Sequence, residues 1–205
     1  MSAAARPTER WVLLDVETSG LDVRRDLLLA IAAVGLEVDW TRRRLALRPG
    51  DSLSVTLRPE RVSDKANILL HGIGVGRQRE GMPPAEGLQA FVDWAAGAPL
   101  VAYHAAFDRA LLTRDCQRHL GRALAADWLD IAPLCTVSHP QVRARSLDDW
   151  LAHFGIRCLA RHEAAADVLA EAELLQRVWP KVAAECDSRR AVQRYASRQA
   201  WLGPR

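Results

Sequence analysis

No Cys-x-x-Cys pair occurs in this chain: Cys116, Cys135, Cys158 and Cys186 are scattered. Neither a disulfide framework nor a zinc–thiolate site has its spacing, and reduced, mostly buried thiols in a cytoplasmic protein are the expectation. Lysine is nearly missing, with Lys65 and Lys181 the only two. Arginine therefore carries the basic charge, which reflects either genome composition, the favoured reading, or phosphate recognition by a planar guanidinium. No apolar run is long enough to span a bilayer, so no membrane association is expected; the longest, residues 27–36, reads as a buried strand. The first seven residues contain no apolar h-region, so no signal peptide is expected. Internal repeats and low-complexity segments are absent as well. What remains is ordinary: 205 residues, 49% hydrophobic and 26% charged, enough for one large domain with a substantial core. The net charge of +3 permits a polyanionic partner without requiring one.

The pattern along the chain has two halves. Residues 11–15 are a short apolar run ending in acid, a buried strand that emerges at a sheet edge. Residues 27–38 form a second strand, and 42–57 hold one or two more, with a break at the Pro-Gly-Asp of 49–51. Together these predict an antiparallel meander. Residues 58–84 are polar and rich in Gly and Arg, and read as loop or short helix. Elements then alternate: helix 85–96, strand 100–103, helix 107–120 and strand 128–131. After them come a helix over 147–154 capped by Ser146, a strong helix 163–179 stopped near Pro180, and a last helix from Lys181 to about Trp201. Meander followed by strand–helix alternation predicts a mixed sheet with helices packed on it.

Four short segments carry the candidate chemistry. Asp15 and Glu17, at i and i+2, share a strand face. Two adjacent carboxylates repel unless a cation sits between them, so the pair reads either as a metal site or as solvated acids at a strand end. Asp108 and Asp167 each lie near a helix start, where the helix dipole alone also favours an acid. Within one helix, five residues at about 100° each would separate His162 from Asp167. The two therefore converge only if His162 lies on the preceding loop.

Taken in order, these segments resemble the DnaQ-like exonucleases, in the histidine-containing branch of the DEDD group. Asp15-x-Glu17-Thr18-x-Gly20-Leu21 matches the first motif, His104-x-Ala-x-Asp108 the second and His162-x-Ala164-x-x-Asp167 the third, with His71-Gly72-Ile73 matching a loop between the first two. The resemblance covers about residues 10–178 and extends to the polymerase III epsilon subunit. It implies an α/β ribonuclease H-like fold: a five-stranded mixed β-sheet, antiparallel meander then parallel strands, flanked by α-helices. It divides the chain into an exonuclease domain at 10–178 and a helical extension at 179–205 packed on it. It also implies two divalent cations, Mg2+ or Mn2+, with Asp15 bridging both, Glu17 and Asp167 completing one site, and Asp108 serving the other. His162 would take the proton of the attacking water. Thr18, Ser19, Leu21, His104 and Phe107 would contact the 3′ end of a single-stranded DNA or RNA, with core packing an equal alternative for Phe107. The implied activity is 3′–5′ release of nucleoside 5′-monophosphates, by a homodimer or a polymerase-associated protein.

The chain departs from the family's pattern in a few places. Ser19 stands where threonine is commoner, Ala105 where asparagine follows the motif histidine, and Ala30 where the second strand often has glutamate. The five key residues are all present. A non-catalytic nucleic-acid-binding or assembly module on the same fold is the alternative, and a ribonuclease H-type endonuclease is a third. For the arginines of the last helix, a solvated face is favoured over phosphate contact, while Ala191, Tyr195 and Leu202 point to packing.

Overall fold

The computed structural model describes residues 8–201; Leu202 lies outside them. Three long strands, β1 (Thr8–Thr18), β2 (Leu28–Asp39) and β3 (Arg44–Thr56), form the meander, and two short ones, β4 (Leu100–Ala102) and β5 (Trp128–Asp130), follow. The sheet order is β3-β2-β1-β4-β5. Strands β1, β2 and β3 pair antiparallel, whereas β4 lies parallel to β1 and β5 parallel to β4. This is the five-stranded mixed sheet of the ribonuclease H-like class.

Alternation along β1 assigns its side chains to two cores. Trp11 and Leu13 join one apolar cluster; Val12, Leu14 and Val16 join the other. Helices cover both faces, so the middle of the strand, residues 11–14, is continuously apolar rather than at every second position. The Trp11 face lies against the long helix α7 (Ala164–Glu185), together with α5 (Ile131–Ser138), α6 (Leu147–Phe154) and α8 (Arg189–Ser197). Trp11, Trp40 and Trp179 meet there with ring centroids 5.7–6.0 Å apart. The opposite face carries α3 (Pro84–Ala95) and α4 (Ala106–Leu120), with Leu88, Phe91, Leu111 and Leu112 buried.

The expected break at Pro49-Gly50-Asp51 is instead an irregularity within one strand. The β2–β3 register shifts between Val34 and Gly35, whose partners are Ser52 and Arg48. A Cβ on Gly35 would sit 2.0 Å from Asp51 Oδ2, so only glycine leaves room for that carboxylate. Asp51 then accepts from Arg10 Nε at 2.6 Å and Nη2 at 2.9 Å. The charged pair stitches the outer strand to β1.

Three helix boundaries correct the sequence reading. Pro180 does not stop α7, which runs on to Glu185. The bond it forfeits belongs to the carbonyl of Gln176, on the exposed side, while Val182 and Ala183 continue the buried stripe. The chain breaks instead at residues 186–188, so the last helix begins at Arg189 rather than Lys181. Residue Ile131, expected to end a strand, starts the unforeseen helix α5; the Asp130 side chain caps Ala132 N at 3.0 Å, and Pro133 falls in the first turn, where no intrahelical N–H bond is required. The 58–84 segment contains two short helices, α1 (Lys65–His71) and α2 (Val75–Glu80). No helix among the described residues is long and apolar enough to cross a membrane.

Candidate active site

The alternation that buries Trp11 and Leu13 carries Asp15 and Glu17 to the same face, toward α7. Along α7 the buried stripe runs through Ala164, Val168, Leu175, Val178 and Val182. Two acids, Asp167 and Glu171, occupy this stripe and are 5% and 2% exposed. Asp15, Glu17 and Asp167 each offer a carboxylate oxygen, and these three lie within 4.8 Å of one another. Asp108, buried in the first turn of α4, enters from the other helical layer, and the Val16 backbone N–H lowers the pKa values of both Asp108 and Asp15.

The cluster holds its protons strongly. Burial, then the nearby charges of Asp108, Glu17 and Asp167, push Asp15 well above the usual carboxylate range. Burial and Asp167 raise Glu17 to about 8, against the pull of the Arg161 guanidinium and the Ala164 backbone N–H. Burial raises Asp108 to about 7, and Glu171 is driven up by its complete enclosure and by Asp15. Converging hard oxygen donors short of compensating positive charge fit a divalent cation such as Mg2+ or Mn2+.

Asp167 is held by the segment that precedes its helix. Its Oδ2 accepts the His162 N–H at 2.9 Å, and its Oδ1 accepts from Cys158 Sγ at 3.3 Å and from Arg161 Nη1. Arg161 Nε also reaches Asp148 Oδ1 at 2.6 Å, so one guanidinium bridges α6 and α7. His162 has φ of +64°, which turns the chain into α7 and leaves its side chain exposed.

The remaining candidates surround the acids. His104, with φ of +58°, donates its N–H to Asp130 Oδ1 at 3.0 Å, and its exposed ring stacks on Tyr103. Phe107 is half-buried against the α3–α4 core, whereas Leu21 is 85% exposed on the loop after β1. The hydroxyls of Thr18 and Ser19 serve that loop: Thr18 Oγ1 donates to Gly20 O at 2.6 Å, and Ser19 Oγ donates to Asp26 Oδ1 and accepts from Leu27 N. Ala30 is the cross-strand partner of Glu17, and Ala105 leaves the start of α4 without a side-chain cap. His71 is buried, its Nδ1 accepting from Ile73 N at 3.0 Å; a Cβ on Gly72 would lie 3.8 Å from Glu163 Oε1, which sets this loop beside the start of α7. Two of the C-terminal arginines are paired rather than merely solvated: Arg189 with Asp127 at 2.8 Å and Arg198 with Glu185 at 2.5 Å.

Three neighbours of the acids were not singled out from sequence. Glu171 follows Asp167 by one helical turn and accepts the Tyr103 N–H at 3.3 Å; an acid in an otherwise apolar stripe was the available signal. Asp130 ends β5 as Asp15 lies near the end of β1, an apolar strand closing in acid. Arg161, one arginine among many, had no sequence signal.

Residues 12–175 match the model of the family described as exonuclease (RNase_T). A DNA polymerase III subunit epsilon-like protein of Rhodobacter capsulatus is 32% identical over 177 residues, which cover 85% of this chain and 24% of that protein. A PolC-type DNA polymerase III of Clostridium perfringens is 24% identical over 180 residues, covering 87% of this chain and 12% of the polymerase. The chain thus spans a minor part of these relatives' length. Among solved structures, Escherichia coli exonuclease I in complex with a dT13 oligonucleotide superposes with a TM-score of 0.68 at 17% identity, over 83% of this chain and 41% of that one. Cell-death related nuclease 4 gives 0.67 at 15% identity, over 83% and 64%. These likenesses concern the fold; the match over residues 12–175, which contain all the acids gathered at the end of β1, makes this chain a member of the exonuclease family.

Proposed function

We propose that the protein is a divalent-metal-dependent 3′–5′ exonuclease that removes nucleoside 5′-monophosphates from single-stranded nucleic acid. The observation that carries the reading is the approach of Asp15, Glu17 and Asp167 within 4.8 Å, with Asp108 near enough for its charge to raise the Asp15 carboxyl. Asp15, Glu17 and Asp167 would hold one cation, and Asp15 with Asp108 the other. Two such ions, when bound, offset charge on the attacking and leaving oxygens of an in-line displacement. His162, exposed and beside Asp167, accepts the proton of the attacking water. The water oxygen forms the new bond to phosphorus, the bond to the 3′ oxygen of the preceding nucleotide breaks, and that oxygen takes up a proton. Leu21 and Phe107 offer sequence-tolerant apolar contact to the terminal bases. His104, its exposed ring stacked on Tyr103, is a further candidate contact to the 3′ end.

The test is digestion of 5′-labelled single-stranded DNA and RNA with Mn2+, with and without chelator. A metal-dependent ladder shortening from the 3′ end supports the reading and reveals the preferred sugar. Internal fragments would replace it with an endonuclease, and binding without cleavage with a non-catalytic module.

A further inference from the structure

We propose that Arg161 is an internal cation that competes with a divalent ion for Asp167, and so sets the metal affinity of the site. The inference rests on the metal-dependent reading above.

A guanidinium offers only donors and cannot serve as a ligand. Arg161 is nevertheless placed where a metal would need a carboxylate oxygen: Nη1 is bonded to Asp167 Oδ1, and Nε is fixed to Asp148 Oδ1 at 2.6 Å. The same Asp167 oxygen takes Cys158 Sγ at 3.3 Å, and the other takes His162 N at 2.9 Å. The segment from Cys158 to His162 therefore engages both oxygens of the one carboxylate that α7 contributes to the triad. A cation entering between Asp15, Glu17 and Asp167 meets a fixed positive charge already neutralising part of the cluster.

The segment is built to let go. Leu159 is 94% exposed and Cys158 is only half-buried against the apolar cluster, so the polar contacts to Asp148 and Asp167 carry much of what holds the segment. Asp148 lies in the first turn of α6 with a side chain 66% exposed, and its hold on Nε is what aims Nη1 at Asp167, so weakening that solvent-facing end loosens the bridge. Arg161 itself is 28% exposed at the site's margin. Its release removes a countercharge at the moment the divalent ion supplies a stronger one, so the two states exchange one cation for another.

The experiment is calorimetric titration of the full chain with MnCl2, without nucleic acid, comparing the wild type with Arg161→Gln. The expected result is binding at least about tenfold tighter in the variant, equivalent to ~1.4 kcal/mol. Asp148→Asn, on the exposed end of the bridge, is expected to tighten binding in the same direction by a smaller factor, and decides the matter if Arg161→Gln does not fold. Measurable wild-type binding that neither variant tightens overturns the proposal and leaves the metal-dependent reading standing. Absence of Mn2+ binding in the wild type and in both variants overturns the two together.

Discussion

The backbone N–H of His162 donates to Asp167 Oδ2 at 2.9 Å, joining the candidate base to a candidate metal ligand through the main chain and not through the imidazole. Replacing the ring therefore leaves that bond in place. His162→Ala is expected to lower the cleavage rate by about 10²–10⁴-fold, the usual contribution of a general base, with Mn2+ affinity within a factor of two or so of the wild type. Steady-state cleavage and calorimetry on the same preparation check this; undiminished turnover would remove His162 from the mechanism.

Asp15 has three acidic neighbours that raise its pKa: Asp108, Glu17 and Asp167. Asp15→Ala removes both a proposed ligand and a source of repulsion. Cleavage should vanish, while the metal-free protein should melt at an equal or higher temperature, by about 2–4 °C for each kcal/mol of repulsion relieved in a chain of this size. A lower midpoint, measured by circular dichroism with chelator present, would make Asp15 a structural residue instead.

The raised carboxyls impose a pH dependence with a definite sign. Glu17 moves from 4.5 to about 8 and Asp108 from 3.8 to about 7 on folding. Above the unfolded values and below the folded ones, the native state holds more protons than the unfolded state, so stability falls as pH rises. Without metal, the stability contributed by these groups is fully present below about pH 4 and is lost progressively up to about pH 8. Metal binding needs the deprotonated acids, so Mn2+ affinity should rise across the same range. Urea midpoints from pH 5 to 9, with chelator and then with Mn2+, should slope downward in the first series and flatten in the second. A metal-free midpoint rising with pH would contradict the buried-acid picture.

Glu171 provides a separate test, being buried behind the triad and bonded to the Tyr103 N–H at 3.3 Å. Glu171→Gln keeps an acceptor for that N–H without a titrating proton, and is expected to fold with a metal-free stability less sensitive to pH. Glu171→Ala leaves the partly buried N–H without this acceptor and opens space, at a cost of about 1–3 kcal/mol for the lost acceptor. Equal stability of the two variants in urea melts would show that the Tyr103 bond contributes nothing.

Much was legible from local rules. The strand–helix order and the mixed sheet followed from periodicity. The capping of α6 by Ser146, accepting from Asp149 N at 3.1 Å, followed from local residue choice. Asp15 and Glu17 share a face because a strand alternates. The requirement that His162 lie on a loop came from helix geometry, and the backbone meets it with a positive φ. Two of the errors lie where a long-range term outweighs a local one: Pro180 stays within α7 because Val182 and Ala183 bury apolar surface beyond it, and Pro49 and Gly50 stay within β3 because Asp51 reaches across Gly35 to Arg10.

The sequence by itself determined which residue types were available for the chemistry and the face each would occupy on its own strand or helix, since both follow from periods of two and 3.6 residues. Only the tertiary structure decided that Asp15, Glu17 and Asp167 converge, that Glu171 is sealed behind them, and that one arginine among many, Arg161, rests on Asp167. The distance between charges on separate elements is set by how α7 packs on the sheet, and burial in that packing makes those distances matter, because the electrostatic cost of a carboxylate rises steeply once water is excluded.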